Sequence, residues 1–294
     1  MIRTLSFALL FIAALPTFAD DSEDRVEKII TDLGGRCGHE NDDPKKPVVS
    51  VHFKGVNVPV STLAQLKAFK KLTLLSFNQT GLTDQGVKEL PALKGVLTLA
   101  LTRESKVTAG GIRSLASMTQ LMELTLIGKN WTDAHLNWIS SLTDLRNLQI
   151  IDANITDEGA KQMDSLKTVV SLSLQRANLT DVGVKSFARM EALKDLSLPG
   201  TKVTDAATAD IAKHRHLEWL DLAETDISDA GLERLAALDR LKFLYLTSTR
   251  VSDAGLKPLF GLKQLRLLNV SHTKVTEAGI RELRKALPHC KVSR

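Results

Sequence analysis

The stretch Leu217-Glu218-Trp219-Leu220-Asp221-Leu222-Ala223-Glu224-Thr225-Asp226-Ile227-Ser228-Asp229-Ala230-Gly231-Leu232 is answered 24 residues later by Leu241-Lys242-Phe243-Leu244-Tyr245-Leu246-Thr247-Ser248-Thr249-Arg250-Val251-Ser252-Asp253-Ala254-Gly255-Leu256. Leu, Thr, Ile or Val, Ser, Asp and Gly return in the same places. A phrase with a fixed period of this length builds a solenoid, in which each unit buries its apolar side against its neighbours alone. The Ser or Thr before the acidic residue serves as a register mark. It falls at Thr83, Thr108, Thr132, Thr156, Thr180, Thr204, Ser228, Ser252 and Thr276, and every step is 24 residues except the 25 from Thr83 to Thr108. Pro59 stands one step before Thr83, behind Val51, Phe53 and Val58, and makes a degenerate first unit of ten.

Within a unit, apolar residues lie 11, 8 and 6 positions before the mark, as at Leu193, Leu196 and Leu198. The last two alternate with polar residues, which is the strand period. After the mark, apolar residues recur at +4, +7 and +10, as at Leu232, Leu235 and Leu238, the stripe of a short helix. The Ser or Thr suits the helix N-cap, and the following Asp (Glu277 in the last unit) suits the positive end of the helix dipole. Pro91 and Pro258 point to short or irregular helices.

The strand phrase L-x-x-L-x-L-x-x-T resembles the leucine-rich repeat over roughly residues 48–292. With its V-T-D-A-G-L phrases and the closing Leu287-Pro288-His289-Cys290-Lys291-Val292, the whole chain resembles secreted bacterial leucine-rich-repeat proteins built of tandem 24-residue repeats. The resemblance implies an α/β solenoid, with a curved parallel β-sheet on the concave face and short helices on the convex one. Thr201, Thr225, Thr249 and Thr273 occupy the slot where many such repeats carry an Asn that satisfies backbone groups between neighbouring turns, and Lys129, Ala153 and Ala177 depart from it.

Apolar residues make up 43% of the chain but aromatics only 4%, so the core rests on Leu repeated many times and not on large rings. Lys and Arg, which leave a net charge of +5, are scattered over helix positions and form no stripe, so no nucleic-acid partner is expected. Arg3, the apolar run from Leu5 to Leu15, and Ala19 before Asp20 read as a secretory signal over 1–19. The run is short of the about 20 residues a membrane span needs. Export to the periplasm or the exterior follows, with a monomer expected. Residues 20–47 read as an N-terminal cap: an amphipathic helix over 23–33 ended by Gly34 and Gly35, then a polar loop from Gly38 to Pro47. Residues 48–287 hold the repeats, with Val48–Phe53 as first strand, and 288–294 a C-terminal cap with an edge strand from Cys290 to Val292. Cys37 and Cys290 belong to opposite ends. Nine strand steps of ~4.8 Å put them roughly 40 Å apart, far beyond the about 7 Å a disulfide spans.

No nucleophile, phosphate-cradling or metal-binding motif occurs, and the seven histidines fall on different units, the closest pair being His214 and His216. Repeated Asp and Gly belong to the repeat, as do three of the five Asn-x-Ser/Thr triplets, which begin at Asn78, Asn130, Asn154, Asn178 and Asn269. No enzyme, cofactor or metal is expected.

Positions 9 and 7 before the mark point away from the core and form columns across the sheet. The first column runs Ser50, Leu74, Thr98, Glu123, Asn147, Ser171, Asp195, Trp219, Phe243, Leu267; the second runs His52, Ser76, Ala100, Thr125, Gln149, Ser173, Ser197, Asp221, Tyr245, Asn269. Most are small and polar. Toward the C-terminus Trp219, Phe243 and Leu267 stand on adjacent strands beside Asp221, Tyr245 and Asn269, with Glu224 close by. Clustered exposed apolar side chains mark interaction sites, and Trp and Tyr are favoured hot spots. The alternative is that the C-terminal cap covers the rings or that they brace the sheet. Thr208 and His214, in slots that elsewhere hold Leu, make the preceding unit irregular. The expected function is recognition of a protein, or a glycan, through the concave face; a structural spacer of the cell envelope without specific ligand is the alternative.

Overall fold

A computed structural model describes residues 21–294; the expected signal segment 1–19 lies outside the described residues. Twelve strands form one sheet in sequence order. They are β1 Arg36–His39, β2 Val48–Lys54, β3 Leu74–Asn78, β4 Thr98–Thr102, β5 Glu123–Ile127, β6 Asn147–Ile151, β7 Ser171–Ser173, β8 Asp195–Ser197, β9 Trp219–Asp221, β10 Phe243–Tyr245, β11 Leu267–Asn269 and β12 Lys291–Ser293. From β2 onward every pairing is parallel, and the sheet is open, with β1 and β12 at its edges. Short α and 3-10 turns follow each strand of the repeats. In the unit quoted first, Leu217, Leu220, Leu222, Ile227, Leu232, Leu235 and Leu238 are all fully buried, and they join one core that runs the length of the stack. Each such side chain is worth about 1.5–3 kcal/mol of apolar burial, shared between adjacent turns.

The N-terminal cap departs from expectation. The helix Asp21–Asp32 buries Val26 and Ile30 and ends where Gly34 takes φ +84°, as anticipated. The polar loop, however, begins with a strand: β1 pairs antiparallel with β2, Arg36 opposite His52, before a 3-10 turn at Glu40–Asp42. Arg-Cys-Gly-His shows no apolar alternation, so nothing local announces it; β1 forms because it saturates the otherwise open edge of β2. At the other end β12 starts at Lys291 rather than Cys290, which is buried. Cys37 lies on β1 and Cys290 just before β12, at opposite ends of the sheet, and neither is in a disulfide. Pro91 and Pro258 sit in 3-10 turns, Leu90–Ala92 and Lys257–Gly261.

The acidic residue after the mark does more than face its own helix dipole. Its carboxylate reaches the next unit, accepting the backbone N–H of the following Ser or Thr at 2.7–2.9 Å and its hydroxyl at 2.5–2.7 Å. Seven rungs result, from Asp84–Thr108, Asp133–Thr156, Asp157–Thr180, Asp181–Thr204, Asp205–Ser228, Asp229–Ser252 and Asp253–Thr276. Six of the seven rungs meet a repeat glycine, and the Asp181–Thr204 rung closes beside Ala207. A Cβ at Gly111, Gly159, Gly183, Gly231, Gly255 or Gly279 would overlap the carboxylate oxygen arriving from the unit before.

One unit lacks the acid: Ala109 follows Thr108, so no carboxylate reaches Thr132. The glycine slot above it then holds His135. Its Nδ1 stands where the carboxylate would arrive, accepting the Thr132 N–H at 3.3 Å and lying 2.9 Å from the Thr132 hydroxyl, with one lone pair to share between them. Among the nine Ser/Thr-marked units, those with Gly in this slot open with an α-turn. The two without it, His135 and Ala207, open with 3-10 turns, Asp133–Leu136 and Asp205–Ala207.

The threonines in the Asn slot act within their own turn, not between turns. The Thr201, Thr225, Thr249 and Thr273 hydroxyls donate to the carbonyls of Leu198, Leu222, Leu246 and Val270, three residues back. A Thr side chain is too short to cross to the next turn. Glu104, in the corresponding slot of the 25-residue unit, is long enough. Fully buried, it accepts the Thr80 N–H at 2.8 Å, the Thr80 hydroxyl at 3.1 Å and the Leu82 N–H at 2.9 Å in the preceding turn.

Candidate recognition surface

Strand register decides which side chains share the sheet face. Asp195 pairs with Trp219, Trp219 with Phe243 and Phe243 with Leu267; one row on, Ser197 pairs with Asp221, Asp221 with Tyr245 and Tyr245 with Asn269. Both expected columns are therefore present without a slip. Trp131 and Trp138 are buried in the core, whereas Trp219 and Tyr245 are half-buried and Phe243 is 37% exposed. The C-terminal cap does not cover the rings: beyond Leu267 the next residue in the row is Lys291 of β12.

Two details differ from the column picture. The ring contact made by Trp219 is with Tyr245, one row and one strand away, centroids 5.4 Å apart and tilted by 49°. Diagonal neighbours lie within aromatic reach, and this one leaves Phe243 outward. Asp221 and Asn269 are also partly engaged by their own backbone, their Oδ1 atoms accepting the N–H of Ala223 and Ser271 at 2.9 and 3.0 Å. Burial, and secondarily the nearby Glu224, pushes the Asp221 carboxyl above its ordinary range. Glu224 is exposed and left-handed, φ +56°, in the slot after each strand that Gln79, Asp152, Arg176, Ser248 and His272 also hold with positive φ.

Beside the rings lies a trough of about 400 Å³ lined by Gln149, Ser171, Leu172, Ser173, Asp195, Ser197 and Trp219. Its polar residues stood in the expected columns but not among the expected site residues. The available signal was Asp195, a carboxylate in a run of small polar side chains immediately before Trp219. Burial pushes the Asp195 carboxyl up, and Glu218 adds to this while Lys194 opposes it. Glu218 itself is held by Lys242 at 2.6 Å. Among the described residues no group of three or more His, Cys, Asp or Glu side chains converges to hold a metal ion, and no helix is long and apolar enough to cross a membrane.

Comparison with known proteins agrees with this geometry. The model of the family described as Leucine Rich repeat matches residues 165–188 and 213–236. The fold is a leucine-rich-repeat solenoid. Two internalins of Listeria monocytogenes share it. The solved structure of internalin InlF is 16% identical, with a TM-score of 0.59 over 92% of this chain and 94% of that one. Internalin C2 is 20% identical, with a TM-score of 0.53 over 72% of this chain and 84% of that one. At these identities the likeness is one of fold. No curated protein matches the chain in sequence. Between the two matched leucine-rich repeats lies the unit carrying Thr208. Its hydroxyl, fully buried, donates to the Asp205 carbonyl at 2.7 Å, and His214, also buried, hydrogen-bonds the Met190 backbone. The pairing from β8 to β9 keeps its register through this unit, so these two departures are absorbed locally and produce no break in the sheet.

Proposed function

We propose that this leucine-rich-repeat solenoid is a non-enzymatic, exported recognition protein that binds a protein partner through its sheet face. Solenoids of this kind present extended surfaces suited to such binding. One observation carries the reading: Trp219, Phe243 and Tyr245 emerge together on β9 and β10, while Trp131, Trp138, Phe53, Phe77 and Phe187 are all buried. A spacer has no use for exposed rings, which lower solubility. Asp221, Glu224, Leu267 and Asn269 frame the rings. Arg3, the Leu5–Leu15 run and Ala19 support export.

The test is affinity capture from the native envelope fraction with wild type and with the double variant Trp219→Ala/Tyr245→Ala. Loss of a specific captured protein, with unchanged circular dichroism, is the expected result. Equal recovery by the folded double variant overturns the proposal, and recovery of polysaccharide in place of protein reassigns the surface to glycans.

A further inference from the structure

The trough beside Trp219 is built for charge as well as shape. Ser171, Ser173 and Ser197 give it a low floor, and Trp219 and Asp195, Cα partners on adjacent strands, stand at one side. The Asp195 carboxylate accepts no hydrogen bond and joins no ion pair among the described residues. Asp221, two residues along β9 from Trp219 and so on the same face, spends one oxygen on the Ala223 N–H and has no ion-pair partner among the described residues. Each carboxyl has another carboxylate for a neighbour, Glu218 (itself paired with Lys242) at Asp195 and Glu224 at Asp221; the charge of Lys194 opposes the shift at Asp195 without forming an ion pair with it, and partial burial makes both carboxylate charges costly. A chain of net charge +5 thus concentrates unmatched negative charge beside its one half-exposed indole.

We propose that this trough takes a basic side chain, arginine or lysine, from the protein partner, with its charged head at the Asp195 carboxylate and its flat or methylene surface on Trp219. The inference rests on the reading of the sheet face as a protein-binding surface and names what that surface selects. A cation over an indole face gains from the ring quadrupole. The same cation forms a charge-assisted hydrogen bond to the carboxylate and relieves its repulsion with Glu218. A neutral sugar satisfies the hydroxyl-lined floor but leaves the carboxylates unmatched.

Because Trp131 and Trp138 are buried, a ligand-dependent change in tryptophan emission reports Trp219. The probes are blocked Gly-Gly-X-Gly-Gly peptides with arginine, lysine, citrulline or glutamate at X, titrated into the full chain. A saturable change with arginine and lysine, absent with citrulline and glutamate, is expected. Asp195→Asn should weaken it about tenfold, between the worth of an exposed and a buried ion pair. Asp195→Lys, which puts a cation in the trough, should abolish it. Salt near 1 M, where screening acts within about 3 Å, should weaken it too. Citrulline binding as tightly as arginine, or arginine binding to Asp195→Asn as to wild type, overturns the inference. So does a saturable change with an N-acetylglucosamine oligomer that Asp195→Asn leaves intact. Capture separates the two claims: a partner lost by Trp219→Ala/Tyr245→Ala but fully retained by Asp195→Asn overturns the basic-side-chain inference alone.

Discussion

Ala109 and His135 break the repeat together, and changing them together should restore it. In wild type, the His135 imidazole occupies the place where a carboxylate from position 109 would arrive, and shares one lone pair between both Thr132 donors. His135→Gly alone strands those donors, at about 0.5–1.5 kcal/mol per neutral hydrogen bond, and adds the roughly 1 kcal/mol cost of Gly in a helix. The sum is about 2–4 kcal/mol. Ala109→Asp alone drives a carboxylate into the imidazole, and overpacking of this kind costs about 1–3 kcal/mol. The double variant rebuilds the Asp–Ser/Thr rung seen seven times elsewhere. Two hydrogen bonds to a carboxylate offset the Gly cost, so its stability should fall within about 1 kcal/mol of wild type. The implied coupling is close to the sum of the two single losses, roughly 3–7 kcal/mol, at or beyond the upper end for residues in contact. Urea unfolding of the four proteins gives the cycle. Amide exchange at Thr132 reads the rung locally, a useful complement because solenoid unfolding need not be two-state. A crystal structure of the double variant should show an α-turn in place of the 3-10 turn at Asp133–Leu136. Additive effects, with the double variant as unstable as the sum of the singles, would refute the idea that acid and glycine are selected as a pair.

Glu104→Ala leaves the Thr80 N–H, Thr80 hydroxyl and Leu82 N–H without an acceptor in a fully buried site; at about 1–3 kcal/mol per stranded donor, a loss of roughly 3–9 kcal/mol should appear in urea unfolding, and a loss under about 1 kcal/mol would contradict it. His214 is held below its ordinary value of 6.5, mainly by burial. A depressed folded value means that its contribution is present above the unfolded value and is lost as pH falls. His39, raised chiefly by its hydrogen bond to the Lys46 carbonyl, works in the opposite sense, its contribution being lost as pH rises. Comparing wild type with His214→Leu, the residue found in this slot at Leu238 and Leu262, isolates the first effect. Between about pH 7 and pH 5 the wild type should lose more stability than the variant, and parallel pH profiles would refute the assignment.

The sequence by itself determined which side chains face in and which face out. A period of 24 residues aligns each unit on its neighbour, so one assignment of inside and outside, made at Leu217–Leu232, propagates to both columns of the sheet face without error. The aromatic residues at Trp219, Phe243 and Tyr245 were legible for the same reason. Periodicity says nothing, however, about which neighbour a side chain reaches, how deep it sits, or how two rings tilt. Those matters belong to the stack. Asp229 adjoins its own helix start in sequence, yet its carboxylate binds Ser252, 23 residues on, which only lateral packing brings near. Glu104 looks like a stray charge beside an insertion, and becomes a buried acceptor only once the Thr80 turn lies against it. The pairing of Trp219 with Tyr245, and the trough at Asp195 that this wall helps to form, depend on side-chain reach across strands that the linear order separates by a whole repeat.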